Sequence, residues 1–275
     1  MDYFSSEKIN DKITVIRSRS GELMYLVEGS ERAVLIDTCI GVSGLKTLAE
    51  RLTPKPVTVL ISHGHIDHAM GAPEFASAYM NHKDIPLYQS QCSIAERRGY
   101  AGGNVGPEAA QMPDSAFVPA APDYAFEAYP ENASFDLGGV HIDVYAFPGH
   151  TRGCMVFLLR EERILILGDA CNNATFLFDE VCSSVEEYRA QVQDIAGRLD
   201  GLYDRVFAMH HVMELQPDIL SQMVGVCDDI IGGHADNLSF EFMGKRALIA
   251  KKCNERFERE DGKSANLIYN PNKIR

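Results

Sequence analysis

Three histidines and one aspartate fall within six consecutive residues of the stretch Ser62-His63-Gly64-His65-Ile66-Asp67-His68. The apolar, β-branched run Val57–Ile61 comes directly before this stretch and predicts a buried strand. The four polar side chains would then lie at the turn where that strand ends, on the rim of a sheet. Neutral imidazole and carboxylate are ligands of borderline divalent metals such as zinc. The stretch therefore predicts a metal site, with its first two histidines converging on one ion and its Asp-His pair turning toward a second.

Three more candidate ligands each follow a predicted strand. His150 follows the run 140–147, Asp169 follows 163–167, and His210 follows 205–209. Loops at strand ends can be polar while the sheet stays rigid, so ligands in α/β folds collect there. Seven candidate ligands on four separate pieces of backbone suit two metal ions with a shared oxygen.

The order of these motifs resembles the metallo-β-lactamase-fold hydrolase superfamily, with a glyoxalase II-like or lactonase-like ligand set. It runs HxHxDH, then Pro148-Gly149-His150-Thr151, then Gly168-Asp169, then a histidine that ends a late strand. The resemblance covers about Leu23 to about Pro217. It implies an α/β fold, a four-layer αββα sandwich with a binuclear site at one edge.

The resemblance also implies a role for each ligand. The first metal would be bound by His63, His65 and His150, the second by Asp67, His68 and His210, and Asp169 would bridge the two. In the family the last histidine often lies in a PGHG or PSHG turn, whereas this chain has Ala208-Met209-His210-His211. The distance from the strand favours His210 as the ligand, which leaves His211 to support a ligand or face the substrate.

The predicted chemistry follows from the ligands. Two cations can share one water and lower its pKa from about 15.7 toward about 7. Asp67 is the expected catalytic carboxylate, because it can orient that nucleophile or handle its proton. Cys171 shows no partner base that would make it a nucleophile. The expected cofactor is a pair of divalent ions, zinc in the first instance, although the same ligands suit iron and manganese.

We therefore expect a binuclear metal-dependent hydrolase that uses a metal-bound hydroxide on a small ester, thioester or lactone. A phosphodiesterase or ribonuclease on the same fold is the alternative, but a net charge of -13 argues against binding a phosphate backbone. A mono-iron sulfur dioxygenase also resembles the pattern. Di-iron oxygen reductases carry Glu at the position of His65 and a flavin domain, and neither feature is present. β-Lactam hydrolysis is chemically compatible.

The 275 residues predict a single metallo-hydrolase domain over 1–275. The Gly- and Pro-rich segment 99–132, with its interleaved aromatic residues, is predicted to be a loop insertion that covers the site or packs as a surface insertion. Residues 238–275 are predicted to form a C-terminal extension. Arg152 follows the PGHT turn and either meets an anionic substrate or lies on the surface.

Composition predicts the compartment and the partners. The chain starts without a charged and then apolar leader, has no apolar run of about 20 residues, and carries seven cysteines without a CxxC pair. These features predict a cytoplasmic protein with reduced thiols. The expected partner is a small-molecule substrate, with no nucleic acid or membrane, and a homo-oligomer is compatible with the sequence.

Four local predictions bear on the surroundings of the site. The patterns predict a helix over 43–52 with Ser43 as its N-cap, a helix over 73–81, and a short strand over 86–89. Asp37, at the end of a predicted strand, is expected to cap the following turn, although a carboxylate there could also lie near the metals.

Overall fold

The computed structural model describes residues 2–210, 212–242 and 244–275. These residues form two compact units. The N-terminal unit comprises the described residues of 1–143 and 209–211, and the C-terminal unit those of 144–208 and 212–275. The single domain over 1–275 with an extension at 238–275 stays a prediction. His211, expected to support a ligand or face the substrate, lies outside the described residues.

Seven α-helices and sixteen strands are present in the described ranges. The helices are α1 Leu45–Leu52, α2 Ile66–Ala69, α3 Ile85–Gln91, α4 Ile94–Asn104, α5 Pro107–Ala110, α6 Val185–Leu199 and α7 Ile219–Ile231. The strands are β1 Phe4–Lys8, β2 Ile13–Ser18, β3 Leu23–Glu28, β4 Ala33–Ile36, β5 Val57–Leu60, β6 Ala78–Tyr79, β7 Ser134–Asp136, β8 His141–Ala146, β9 Met155–Leu159, β10 Ile164–Ile166, β11 Thr175–Leu177, β12 Arg205–Phe207, β13 Glu214–Leu215, β14 Leu238–Phe242, β15 Lys245–Ile249 and β16 Leu267–Tyr269.

The N-terminal unit is built on a six-stranded sheet in the order β1-β2-β3-β4-β5-β6. Strands β1 to β4 pair antiparallel and form a meander, in which β1 is polar and mostly exposed. Strands β4 and β5 pair in parallel through α1, with Ile36 opposite Leu60. Their carboxyl ends therefore lie side by side, and the histidine-rich stretch begins there.

The C-terminal unit contains strands in the order β13-β12-β10-β9 and a four-stranded sheet in the order β11-β16-β15-β14. Strands β9 and β10 form an antiparallel hairpin, and β10 pairs with β12 in parallel. Helix α6 begins with a capping box, in which Ser184 Oγ accepts from Glu187 N and the Glu187 carboxylate accepts from Ser184 N. Its buried face belongs to the core of this unit through Val185, Tyr188, Val192, Ile195 and Leu199.

Two predictions after the histidine-rich stretch are wrong. Residues 73–81 contain strand β6 instead of a helix, because Ala78 is buried beside β5 and the Tyr79 ring packs on Tyr129 and Phe135 at 5.9 and 5.0 Å. This tertiary packing outweighs local propensity. Residues 86–89 lie in helix α3 instead of a strand. Pro86 occupies the first turn, where its missing N–H costs no helix hydrogen bond.

Two further corrections concern helix ends. Helix α1 is capped by Gly44 instead of Ser43, and the carboxylate of Glu74 accepts from Gly44 N and Lys46 N at 2.8 and 3.1 Å. A cap supplied from 30 residues away leaves no local signal. The segment 99–132 also begins inside helix α4 and contains α5, so it is not a loop throughout. None of the helices in the described ranges is long and apolar enough to cross a bilayer.

Candidate metal centre

The histidine-rich stretch forms a tight turn between β5 and α2 in the N-terminal unit. Gly64 is required there, because a Cβ atom at this position would lie 2.6 Å from the carbonyl oxygen of Asp84. The Gly64 N–H donates to Asp84 Oδ2 at 3.0 Å, which fixes the turn from the other side. The rings of His63 and His65 consequently lie close together, with centroids 4.9 Å apart.

Three ligand atoms of the N-terminal unit form a small triangle. The Nε2 atoms of His68 and His210 are 3.1 Å apart, and Asp67 Oδ2 lies 3.4 Å from His210 Nε2 and 3.7 Å from His68 Nε2. Two atoms bound to one tetrahedral zinc ion at 2.0–2.1 Å are separated by about 3.3 Å. The triangle therefore has the dimensions of one face of a metal coordination shell.

Asp37 fixes the tautomers of two histidines. Its Oδ2 accepts from His68 Nδ1 at 2.6 Å and from Ser62 Oγ at 2.6 Å, and its Oδ1 accepts from Ser62 N at 2.7 Å. Because Ser62 uses its proton on Asp37, its oxygen accepts from His63 Nδ1 at 3.0 Å. Both imidazoles then carry their proton on Nδ1 and present a lone pair on Nε2, as metal ligation requires.

The role expected of Asp37 is therefore corrected. It does not serve as a cap of the turn after β4, because its oxygens accept from the next strand end and from His68. The signal that could have found it is its position at the end of β4, the strand that pairs in parallel with β5. Ser62 is a second residue of this network that the sequence analysis does not single out.

His210 is placed by backbone pairing with the start of β3. Leu23 N donates to Met209 O at 2.8 Å, and Glu22 and His210 form an antiparallel bridge. Strand β12 ends at Phe207, so the histidine follows it by three residues. This pairing fixes the backbone of His210 beside the start of β3.

His150 and Asp169 lie in the C-terminal unit. A Cβ atom on Gly149 would lie 2.4 Å from the Tyr188 ring, so only glycine lets the PGHT turn pack on α6. His150 Nδ1 donates to the carbonyl oxygen of Phe176 at 2.7 Å, which leaves the Nε2 lone pair for a metal. That Nε2 lies 3.9 Å from Asp169 Oδ2.

All seven predicted ligands fall into two groups that could each hold a metal ion. In each group every residue offers one ligand atom, and these atoms lie within 4.8 Å of one another. One group is His63, His65 and His150, and the other is Asp67, His68, Asp169 and His210. Imidazole nitrogens and carboxylate oxygens at such separations, with the outer nitrogens of three histidines already hydrogen-bonded, fit divalent cations.

Helix α4 supplies a further neighbour of these ligands. Tyr100 Oη donates to Asp67 Oδ2 at 2.8 Å, so the segment 99–132 does contact the histidine-rich stretch within the N-terminal unit. Burial, followed by the charge of Asp67, raises the pKa of Tyr100 well above its ordinary value, which keeps the hydroxyl a donor. The prediction that this segment covers the site remains untested by these contacts.

Arg152 lies at the surface, whereas Cys171 lies in the core of the C-terminal unit. The exposed Arg152 lines a cavity of about 320 Å³ in the C-terminal unit, next to Thr151 and together with the cation of Lys273. Glu180 and Glu187 line the same cavity, so the cavity carries both signs of charge and does not select an anion by charge alone.

Cys171 is fully buried in the core, and burial raises the pKa of its thiol, which agrees with a structural role. All seven cysteines are free thiols.

Removing metal should lower the thermal stability. At a free zinc concentration of 1,000 times Kd, ligand binding stabilises the folded state by about 4 kcal/mol, which corresponds to roughly 8–16 °C in Tm for a chain of this size. We expect chelator treatment to lower Tm by this order and zinc to restore it. The control is His141→Ala, because His141 pairs with the exposed Asp136, which is not a candidate ligand. This variant should show the same chelator-induced fall in Tm as the unaltered protein. An unchanged Tm after verified metal removal would contradict the site.

Comparisons with known proteins agree with this geometry. The family model of the metallo-beta-lactamase superfamily matches residues 18–206. An uncharacterized protein of Mycobacterium tuberculosis is 31% identical over 143 residues, which are 50% of this chain and 61% of that protein. The chain thus spans less than two thirds of the length of that relative.

Two further relatives cover more of the chain. The acyl-coenzyme A thioesterase MBLAC2 of Gallus gallus is 23% identical over 234 residues, 78% of this chain and 82% of that protein. The solved structure of a metallo-beta-lactamase from Pontibacter korlensis has a TM-score of 0.57 and 19% identity over 81% of this chain and 97% of its own. This likeness confirms the predicted α/β fold class. Because the family model spans well over half of its residues, the chain belongs to the metallo-beta-lactamase superfamily.

Proposed function

We propose that the chain is a binuclear metal-dependent hydrolase that cleaves a small ester, thioester or lactone. The observation that carries this proposal is the pair of ligand groups, whose members offer atoms within 4.8 Å of one another. A solvated polar loop would not need the outer nitrogens of His63, His68 and His150 to be fixed by an acceptor.

In this proposal each group holds one divalent ion. His63, His65 and His150 bind the first, while Asp67, His68 and His210 bind the second. Asp169 would serve both ions, which is supported by its place in the second group and by the 3.9 Å between its Oδ2 and His150 Nε2. Zinc is the proposed metal, because its tetrahedral coordination by imidazole and carboxylate fits the triangle of Asp67, His68 and His210, whose edges measure 3.1 to 3.7 Å, although the same ligands also suit iron and manganese.

Different side chains have different roles around those ions. When bound, the two cations supply Lewis acidity that polarises the substrate carbonyl and makes water more acidic. Asp37 and Ser62 hold the imidazoles in the binding tautomer. Asp67 orients the attacking water and receives its proton, because it is the carboxylate of the histidine-rich turn. No serine or cysteine nucleophile is needed, in agreement with the buried Cys171.

The thioester is the favoured substrate class. One relative, MBLAC2, is named an acyl-coenzyme A thioesterase, and it aligns with 78% of this chain. The net charge of -13 counts against a nucleic acid substrate.

The proposed compartment is the cytoplasm, where six buried thiols and one partly buried thiol would stay reduced.

Metal analysis and a substrate panel test the proposal. Protein purified without chelators should contain about two zinc ions per chain by mass spectrometry. It should hydrolyse acyl thioesters faster than lactones, esters or a phosphodiester. About one iron per chain, with oxygen consumption on a persulfide substrate, would replace the hydrolase by a sulfur dioxygenase. A phosphodiester as the fastest substrate would favour the nuclease alternative.

A further inference from the structure

We propose that Tyr100 is a positioning residue of the metal centre, because its hydroxyl holds the Asp67 carboxylate in the orientation that presents Oδ2 to His68 and His210. The expected effect on kcat rests on the proposed hydrolase function. The expected effect on zinc affinity rests only on the geometry of the ligands. Neither the family model nor the relatives assign a role to this tyrosine.

The hydrogen bond leaves Asp67 Oδ2 able to bind a cation. A carboxylate oxygen has two lone pairs, and a tyrosine hydroxyl with an ordinary pKa near 10 is a donor at neutral pH. The Tyr100 bond at 2.8 Å engages one lone pair of Oδ2. The same oxygen lies 3.4 Å from His210 Nε2 and 3.7 Å from His68 Nε2, so an ion shared by these nitrogens would lie within reach of its other lone pair.

Asp67 needs support from outside its own helix. Helix α2 has only four residues, Ile66–Ala69, and its N-cap His65 makes no side-chain cap hydrogen bond. Such a short helix gives little rigidity to a side chain on its first turn. A partly buried donor from another helix therefore contributes to the orientation of the carboxylate.

Helix α4 is a rigid base for that donor. The side chain of Arg97 is buried and donates to the carbonyl oxygens of Ile40, Gly41 and Val118 at 2.8, 2.7 and 2.8 Å. Ile40 and Gly41 lie shortly after β4. Arg97 therefore binds α4 to the backbone that follows the carboxyl end of β4, where Asp37 lies. Tyr100 follows Arg97 by three residues and lies on the same side of the helix.

Other tyrosines of the N-terminal unit have a different kind of acceptor. The hydroxyls of Tyr124 and Tyr129 donate to the carbonyl oxygens of Phe75 and Ile61 at 3.2 and 2.9 Å. Both of these bonds end on backbone carbonyl oxygens, whereas the bond of Tyr100 ends on a ligand carboxylate. Tyr124→Phe consequently removes an equivalent hydroxyl from the same 99–132 segment without touching a ligand, and it is a matched control.

The experiment compares Tyr100→Phe with Tyr124→Phe in the zinc-loaded protein. We expect Tyr100→Phe to lower kcat by about 10–100-fold, with KM changed less than about twofold, because lost outer contacts of metal ligands have this size of effect. Competition with a chromophoric chelator should show zinc held about 10–100-fold more weakly. Tyr124→Phe should change kcat and zinc affinity less than about twofold.

Two results would overturn the proposal. One is Tyr100→Phe with the kcat and zinc affinity of the unaltered protein. The other is an equal loss in both variants, which would mean that a missing hydroxyl acts through general stability. The chelator competition does not depend on any substrate, so it tests Tyr100 even if the protein hydrolyses nothing in the panel. Failure of the proposed hydrolase function and failure of the Tyr100 proposal are thereby distinguishable.

Discussion

Replacing Asp169 by alanine is expected to lower kcat/KM by about 1,000-fold or more while leaving most of the fold intact, and His65→Ala should do the same. A loss of this size corresponds to about 4 kcal/mol of transition-state stabilisation. Asp169 belongs to the same ligand group as Asp67, His68 and His210, and its Oδ2 also lies 3.9 Å from His150 Nε2. Without this carboxylate, both proposed ions lose a shared negative ligand.

The measurement combines kinetics, metal content and circular dichroism on the fastest substrate of the panel. Asp179→Ala is the matched control, because Asp179 also lies in the C-terminal unit but forms an exposed ion pair with Lys245. Surface ion pairs of this kind contribute about 0–1 kcal/mol, so the control should keep its activity. An Asp169→Ala protein with full metal content and unchanged kcat/KM would refute the bridging role.

The candidate ligands could be predicted because each belongs to a short pattern beside a strand. HxHxDH follows an apolar run, and the PGHT and GD turns follow β8 and β10. Both the residue types and their positions after strands can therefore be read from the local sequence. The structure brings all seven into two groups with ligand atoms within 4.8 Å. A pattern of ligand types at strand ends thus identifies a candidate site, even where the surrounding helices are predicted wrongly.

The residues that orient the ligands could not be predicted, because they act over long sequence distances. Asp37 accepts from a histidine 31 residues later, and Tyr100 donates to an aspartate 33 residues earlier. The errors at β6 and at the start of α1 have the same cause. Tyr79 is held by rings from 129 and 135, and Gly44 is capped by Glu74. Local propensity carries no information about such partners.

Asp37→Asn should weaken metal binding at the centre although it changes almost nothing in shape. The aspartate adopts a left-handed backbone with φ 63°, a conformation that asparagine tolerates well, so backbone strain does not complicate the substitution. The difference lies in hydrogen bonding. Asp37 accepts on both oxygens, from Ser62 N on Oδ1 and from His68 Nδ1 and Ser62 Oγ on Oδ2. Asparagine has one acceptor oxygen and a donating NH₂ group.

Either orientation of the asparagine is unfavourable. With its NH₂ group toward His68, the imidazole must move its proton to Nε2, which points at His210 Nε2 only 3.1 Å away and can no longer bind a cation. With its NH₂ group toward Ser62 N, two buried donors face each other, which costs about 1–3 kcal/mol. Zinc affinity and kcat/KM should therefore both fall about 100-fold, the upper end of the usual range for partners of metal ligands.

Zinc competition and kinetics on Asp37→Asn, with Asp136→Asn as the control, decide this prediction. Asp136 is exposed and accepts from Gly138 N on one oxygen, so an amide oxygen can replace it. The control should match the unaltered protein in zinc affinity and kcat/KM. If Asp37→Asn also bound zinc and turned over substrate normally, then Asp37 would not set the tautomer of His68, and the short contact between His68 and His210 would need another explanation. A loss confined to Asp37→Asn would instead show that one buried carboxylate makes two imidazoles of the histidine-rich turn into ligands.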